Sequence, residues 1–190
     1  HDKILDVATG TAVIPRKITS EINQPGLQIV GLDITESMLL NGRKNISPDL
    51  MNSVISFTCA DAMALPFHDN SFNVVVTGLS THHMKIELML AEVQRVLKPD
   101  GYFSIIDVGT SIIWKIPCVR LLARIVAFLY FIFIENISRA SAEAAALSNV
   151  QTVEDWQRDL EELGFKTIKI QTLKSKYKWF PKPFRVLAQC

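Results

Sequence analysis

Leu5-Asp6-Val7-Ala8-Thr9-Gly10-Thr11-Ala12 is the stretch that decides the fold. An apolar run from Lys3 ends at Val7, a string of small residues follows, and a helical pattern starts near Val13. A buried parallel strand that turns directly into a helix has this form, because the backbone must bend sharply and lie close to whatever binds at the turn. Small side chains at 8, 10 and 12 keep that approach open, and Gly10 is the one glycine among them. A dinucleotide fingerprint needs a further glycine where Val13 stands, which counts against a pyrophosphate ligand. A tight strand-to-helix turn with no ligand fits the same residues.

The second anchor lies 23 residues beyond Gly10, where Gln28 to Leu32 forms the next apolar strand and Asp33 ends it. A carboxylate at the carboxyl end of the second strand can accept hydrogen bonds from both ribose hydroxyls. The alternative is that Asp33 supplies negative charge to the next helix N-terminus. Onward from there, strands are predicted at 54–60, 72–77 and 102–108. Helices are predicted at 13–23, at 35–45 with Thr35 as N-cap, and at 86–97. The alternation is that of a doubly wound, mostly parallel α/β sheet. Residues 165–170 and 184–188 are expected to complete it as two closing strands, after a short helix at 138–147 and another from Thr152 to Leu163-Gly164.

Four ordered segments resemble class I methyltransferases, the type 11 subgroup that includes the C-methyltransferases of ubiquinone and menaquinone biosynthesis. They are residues 5–12, Gly31 to Leu39 around Asp33, Asp61 to Phe67 with Asn70 to Asn73, and Glu92 to Gly101. The resemblance implies a Rossmann-like seven-stranded methyltransferase fold with a helical insert after the fifth strand, and S-adenosyl-L-methionine as cofactor. It places Asp6 and Gly10 along the methionine end and Asp33 at the ribose, with Ala8, Thr9, Thr11 and Ile34 also among the cofactor-binding residues. Asp61 and the Ala62 backbone N–H would meet the adenine, with Met38 on its face, and Thr77 and Leu79 would sit near the sulfonium. Packing within the helix core is the alternative for Met38. Ala12 departs from the family glycine and is expected to crowd the site slightly.

His82 and His83, just after Thr77-Gly78-Leu79, are the candidate catalytic bases, since a neutral imidazole accepts a phenol or enol proton near pH 7. A polar helix start without chemistry is the other reading. Methyl transfer needs positioning above all, so a base is not obligatory.

The second half bears on the acceptor. Residues 112–134 are rich in Ile, Leu and Phe and carry Trp114 and Tyr130, an apolar roof suited to a lipophilic small molecule such as a quinol or phenol. Only Ile125 to Ile134 is free of charge, short of the length expected for a membrane span. Arg120 and Arg124 share a helical face, and the last 28 residues hold seven basic and no acidic side chains, so peripheral membrane contact is expected as an addition. A buried helix or a dimer interface would account for the same apolar run.

Composition bounds the rest. With 190 residues, 48% hydrophobic and 21% charged, the chain is expected to form one methyltransferase domain, 1–108 holding the cofactor and 109–190 supplying roof and closing strands. The start at His1 leads to the expectation that an N-terminal helix is missing. A net charge of +1 argues against nucleic-acid binding. Cys59, Cys118 and Cys190 show no metal spacing, and an odd count without a leader points to a reducing, cytoplasmic setting. An NAD(P)-dependent oxidoreductase and a non-catalytic nucleoside-binding relative are the rival functions.

Overall fold

The computed structural model describes residues 2–22, 24–109, 116–134, 137, 141, 144, 145, 149, 151–173 and 182–190. Seven strands form one sheet: β1 (Lys3–Val7), β2 (Gln28–Asp33), β3 (Ile55–Cys59), β4 (Phe72–Gly78), β5 (Leu97–Gly109), β6 (Lys166–Thr172) and β7 (Lys182–Gln189). Their order is β3-β2-β1-β4-β5-β7-β6. Strands β1 to β5 pair in parallel, and β7 runs antiparallel to both β5 and β6. The sheet is therefore mixed at one end. Strand order reverses beside β1, which brings the carboxyl ends of β1, β2 and β4 together at a topological switch point, the place where such sheets bind ligands.

Helices cover the two faces unequally. Helices α1 (Val13–Glu21), α2 (Glu36–Lys44) and α3 (Pro48–Ser53) belong with a core of Ile4, Ala12, Leu27, Ile29, Ile46 and Ile55. On the other face α4 (Ile86–Val96) and α6 (Val153–Glu162) enclose a larger core that includes Val75, Phe103, Trp156 and Phe184. Helix α6 starts with a capping box: the Thr152 hydroxyl accepts from the Asp155 N–H, and the Asp155 carboxylate accepts from the Thr152 N–H. Gly164, at φ +80, ends it.

Several boundaries differ from expectation. Helix α3 is not among the helices expected from sequence; Pro48 enters its first turn, but six residues are too few to show a periodic face. Strand β5 begins at Leu97 rather than 102, because Leu97 already pairs with Phe72 and the register shifts before Val74. Thr35 occupies the N-cap of α2 without capping through its side chain, and its own N–H donates to the Asp33 carboxylate at 2.9 Å. The helix expected at 138–147, Trp114 and residues 174–181 lie outside the described residues or mostly so.

Helix α5 (Pro117–Ile134) follows β5. By length and composition it is long and apolar enough to cross a membrane, with mean hydropathy 2.0, a longer apolar element than the charge-free decapeptide implied.

Candidate nucleotide site at the carboxyl edge of the sheet

The turn after β1 is bent through left-handed backbone. Ala8, Gly10 and Ala12 have φ of 55°, 54° and 62°, a conformation that costs an L-residue about 1–2 kcal/mol and glycine nothing. Two of the three positions therefore hold alanine under strain, and hydrogen bonds keep the turn in place. The Thr9 N–H donates to the Leu32 carbonyl at 2.9 Å, and the Ala12 N–H to the Thr9 carbonyl at 2.9 Å. Gly31 makes room for this, since a Cβ there would come within 3.0 Å of the Thr9 methyl and 2.8 Å of the Phe57 ring. The Ala12 methyl is wholly buried in the α1–α3 core, with Gly42 of α2 packed on it. The crowding expected of Ala12 thus falls on α2, which has a glycine to absorb it.

Asp33 faces the same turn. Its Oδ2 accepts the Gly10 N–H at 2.9 Å and its Oδ1 the Thr35 N–H, so the carboxylate closes one side of the bend while keeping lone pairs to spare. Above Gly10 there is open space: a Cβ built there meets nothing within 4 Å. Ile34 and Leu79, just past β2 and β4, and Met38, in the first turn of α2, are exposed, so Met38 is not a core residue.

Asp6 sits one step inside. It has no solvent exposure, and its Oδ2 accepts the Thr9 hydroxyl at 2.6 Å. Its Oδ1 is buried without a hydrogen-bond partner, which is uncommon for a native polar atom and calls for a physical role. Burial pushes the Asp6 carboxyl up to about 7; the Thr9 hydroxyl opposes this and the nearby Asp33 charge adds to it. A cation arriving at this carboxyl would find an acceptor waiting.

The loop 61–71 is held from below. Asp61 Oδ1 accepts the Met63 N–H at 2.8 Å, and Ala62 is buried. Arg95 of α4 uses all five of its N–H donors: two on Glu92, one each on the carbonyls of Leu65 and Phe67, and one on Asp69. Glu92 also accepts the Leu65 N–H at 2.7 Å. These bonds from Arg95 hold the Glu92 carboxyl below its ordinary value, against a smaller opposing effect of burial.

After β4 the chain turns through Leu79, at φ 55°, into a short 3-10 helix, Thr81–His83. Thr77 is buried and its hydroxyl bonds that of Ser80 at 3.0 Å. The ring centroids of His82 and His83 lie 4.1 Å apart with the planes tilted by 45°, and His83 is exposed. Sequence reasoning missed the group beneath them. Buried Asp107, near the end of β5, accepts the Thr81 hydroxyl and the Val108 N–H, tying the histidine turn to the sheet. A lone acid in the run Ile105-Ile106-Asp107-Val108 was the signal available. No group of three His, Cys, Asp or Glu residues among those described is placed to hold a metal.

These features define a doubly wound α/β domain with an open main-chain turn at its switch point. Residues 5–105 match the type 11 methyltransferase domain model, and the chain belongs to that family. It is 37% identical over 106 residues to the ubiquinone/menaquinone biosynthesis C-methyltransferase of Dinoroseobacter shibae, covering 55% of this chain and 42% of that protein. It is 36% identical over 107 residues to the demethylmenaquinone methyltransferase of Symbiobacterium thermophilum, covering 56% and 42%. The chain thus spans less than half the length of these relatives. Among solved structures, geranyl diphosphate C-methyltransferase of Streptomyces coelicolor superposes with a TM-score of 0.73 at 12% identity, over 100% of this chain and 71% of that one.

Proposed function

We propose that this chain is the catalytic domain of an S-adenosylmethionine-dependent methyltransferase acting on a small lipophilic acceptor. The observation that carries the reading is the pairing of Asp33 with the open backbone at Gly10. A carboxylate with free lone pairs beside bare main chain suits a ribose, and it stands at the switch point of the sheet. The residues fit the remainder of the cofactor. The unpartnered Oδ1 of Asp6 suits an ammonium group, Met38 and Ile34 offer apolar surface to a base, and Asp61 with Ala62 provides polar groups at its edge.

The cofactor supplies an electrophilic methyl group on a cationic sulfur. The protein's part is to orient and desolvate. Asp33 and Asp6 fix the ends of the binding groove, the Arg95 network holds loop 61–71 over it, and Leu79 presents apolar surface at the end of β4. His83, exposed on its turn, is the group we assign to accept an acceptor proton, with the His82 ring beside it. We read residues 1–190 as one such domain, 1–108 for the cofactor and 109–190 for the acceptor, in a cytoplasmic setting. The lipophilic acceptor rests on the apolar insert and is supported by relatives named for quinone biosynthesis. Calorimetry with S-adenosylhomocysteine, followed by a methyl-transfer screen over quinols, phenols and lipids, tests the two parts separately. Absence of cofactor binding refutes the first part, and transfer only to polar acceptors refutes the second.

A further inference from the structure

We propose that α5 inserts into an anionic lipid bilayer, steered there by a basic surface on β6 and β7. This goes beyond the methyltransferase reading and does not depend on it.

Helix α5 is bare on more than one side. Leu122, Val126, Leu129 and Phe133 recur at helical spacing and are all exposed, Phe133 by 87%; Leu121, Ile125 and Ile132 are exposed on an adjoining stripe. Among its described side chains none is buried, and only Val119, Ala123, Ala127 and Phe128 are half-buried, along one side. A helix that docks on a protein shows one apolar face, whereas one that is apolar around most of its surface matches a surrounding of hydrocarbon. At 1.5 Å per residue its 18 residues reach about 27 Å, close to the thickness of a hydrocarbon core.

Charge identifies the kind of lipid. Residues 108–134 and 163–190 together hold ten of the chain's twenty basic residues and none of its nineteen acidic ones. The fold groups part of this charge. Strands β5 and β7 pair up to Gly109 opposite Lys182, so the chain leads to α5 from beside the β6–β7 pair. On that pair, Arg185 lies opposite Ile106 of β5, and Lys169 opposite Leu187. All four are exposed, a mixed basic and apolar surface on the sheet face that α4 and α6 leave uncovered. Arg124 adds an exposed cation on α5 itself, on a stem long enough to reach headgroups. Anionic headgroups over a hydrocarbon layer satisfy both features at once.

The test is flotation of the full chain with vesicles of phosphatidylcholine alone and of phosphatidylcholine with phosphatidylglycerol. The chain is expected to float with the anionic vesicles when mixed at low salt, and to be captured less well when salt is raised before mixing, because screening weakens the basic steering. Replacing Lys169, Lys182 and Arg185 together with Gln is expected to weaken binding roughly a hundredfold, about fivefold per charge. Leu129→Ser with Phe133→Ser is expected to abolish flotation while circular dichroism and S-adenosylhomocysteine affinity stay unchanged. Three results overturn the proposal: no flotation with anionic vesicles at low salt, equal binding to both vesicle types, or a stable oligomer that buries α5 and ignores lipid.

Discussion

Replacing Asp6 with Asn converts the strain of a buried carboxyl into a measurable pH dependence. Asp6 is fully buried, and its carboxyl holds its proton up to about 7 in the folded chain, against 3.8 when unfolded. As pH rises through that window the unfolded chain releases the proton and the folded chain keeps it, so folding stability falls with rising pH. The loss starts near pH 4 and is complete a little above pH 7. At 1.36 kcal/mol per unit, the gap of about three units amounts to about 4 kcal/mol in total, of which more than half, about 2–3 kcal/mol, accrues between pH 5 and pH 8. Asp6→Asn removes the titration but keeps the shape and the acceptor for the Thr9 hydroxyl. Denaturant unfolding of both proteins at pH 5 and pH 8 gives the double difference, in which every other titrating group cancels. The variant is expected to gain about 2–3 kcal/mol on the wild type between the two pH values, whatever its offset at either one. A stability difference that is the same at both would refute the claim that the Asp6 carboxyl is desolvated with its Oδ1 left unpartnered. S-adenosylhomocysteine should bind the variant more weakly at pH 8, where the ionised carboxyl is lost.

Arg95→Lys cannot reproduce the five-donor fork that holds loop 61–71. A loss of about 2 kcal/mol in denaturant unfolding is expected, reduced from the full count of bonds because the pair is partly exposed. The Glu92 carboxyl is held low, so the wild-type advantage is present above its unfolded value of 4.5 and fades as pH falls below it, which acid titration of both proteins checks. Gly31→Ala places a Cβ against the Phe57 ring and the Thr9 methyl. It should lower stability by about 1–3 kcal/mol by thermal melt and weaken cofactor binding in parallel. His83→Ala should lower turnover about tenfold or more at unchanged cofactor affinity, and an unchanged rate removes the base from the mechanism.

Local signals carried the sheet and its crevice. The apolar runs of β1, β2 and β4 and the small residues at 8, 10 and 12 each dictate their structure within a few neighbours, and Asp33 is legible because the strand before it is. What escaped depends on contacts distant in sequence. Arg95 reaches back 30 residues to Leu65, and Asp107 reaches 26 to Thr81; neither pairing has a periodic signature. Thr35 looks like a cap by residue type and does stand at the N-cap, but its side chain makes no capping bond; the Met38 N–H goes to the Thr35 carbonyl, and Asp33 takes Thr35's own N–H. The apolar character of α5 is plain from composition, whereas its exposure is a property of the fold alone.

The most direct test of the crevice is isothermal calorimetry of S-adenosylhomocysteine against the wild type and Asp33→Ala. The account expects saturable one-to-one binding by the wild type and at least a tenfold weaker constant for the variant, the value of about one charge-assisted hydrogen bond. Binding that Asp33→Ala leaves untouched, or no binding by a folded wild type, would contradict it.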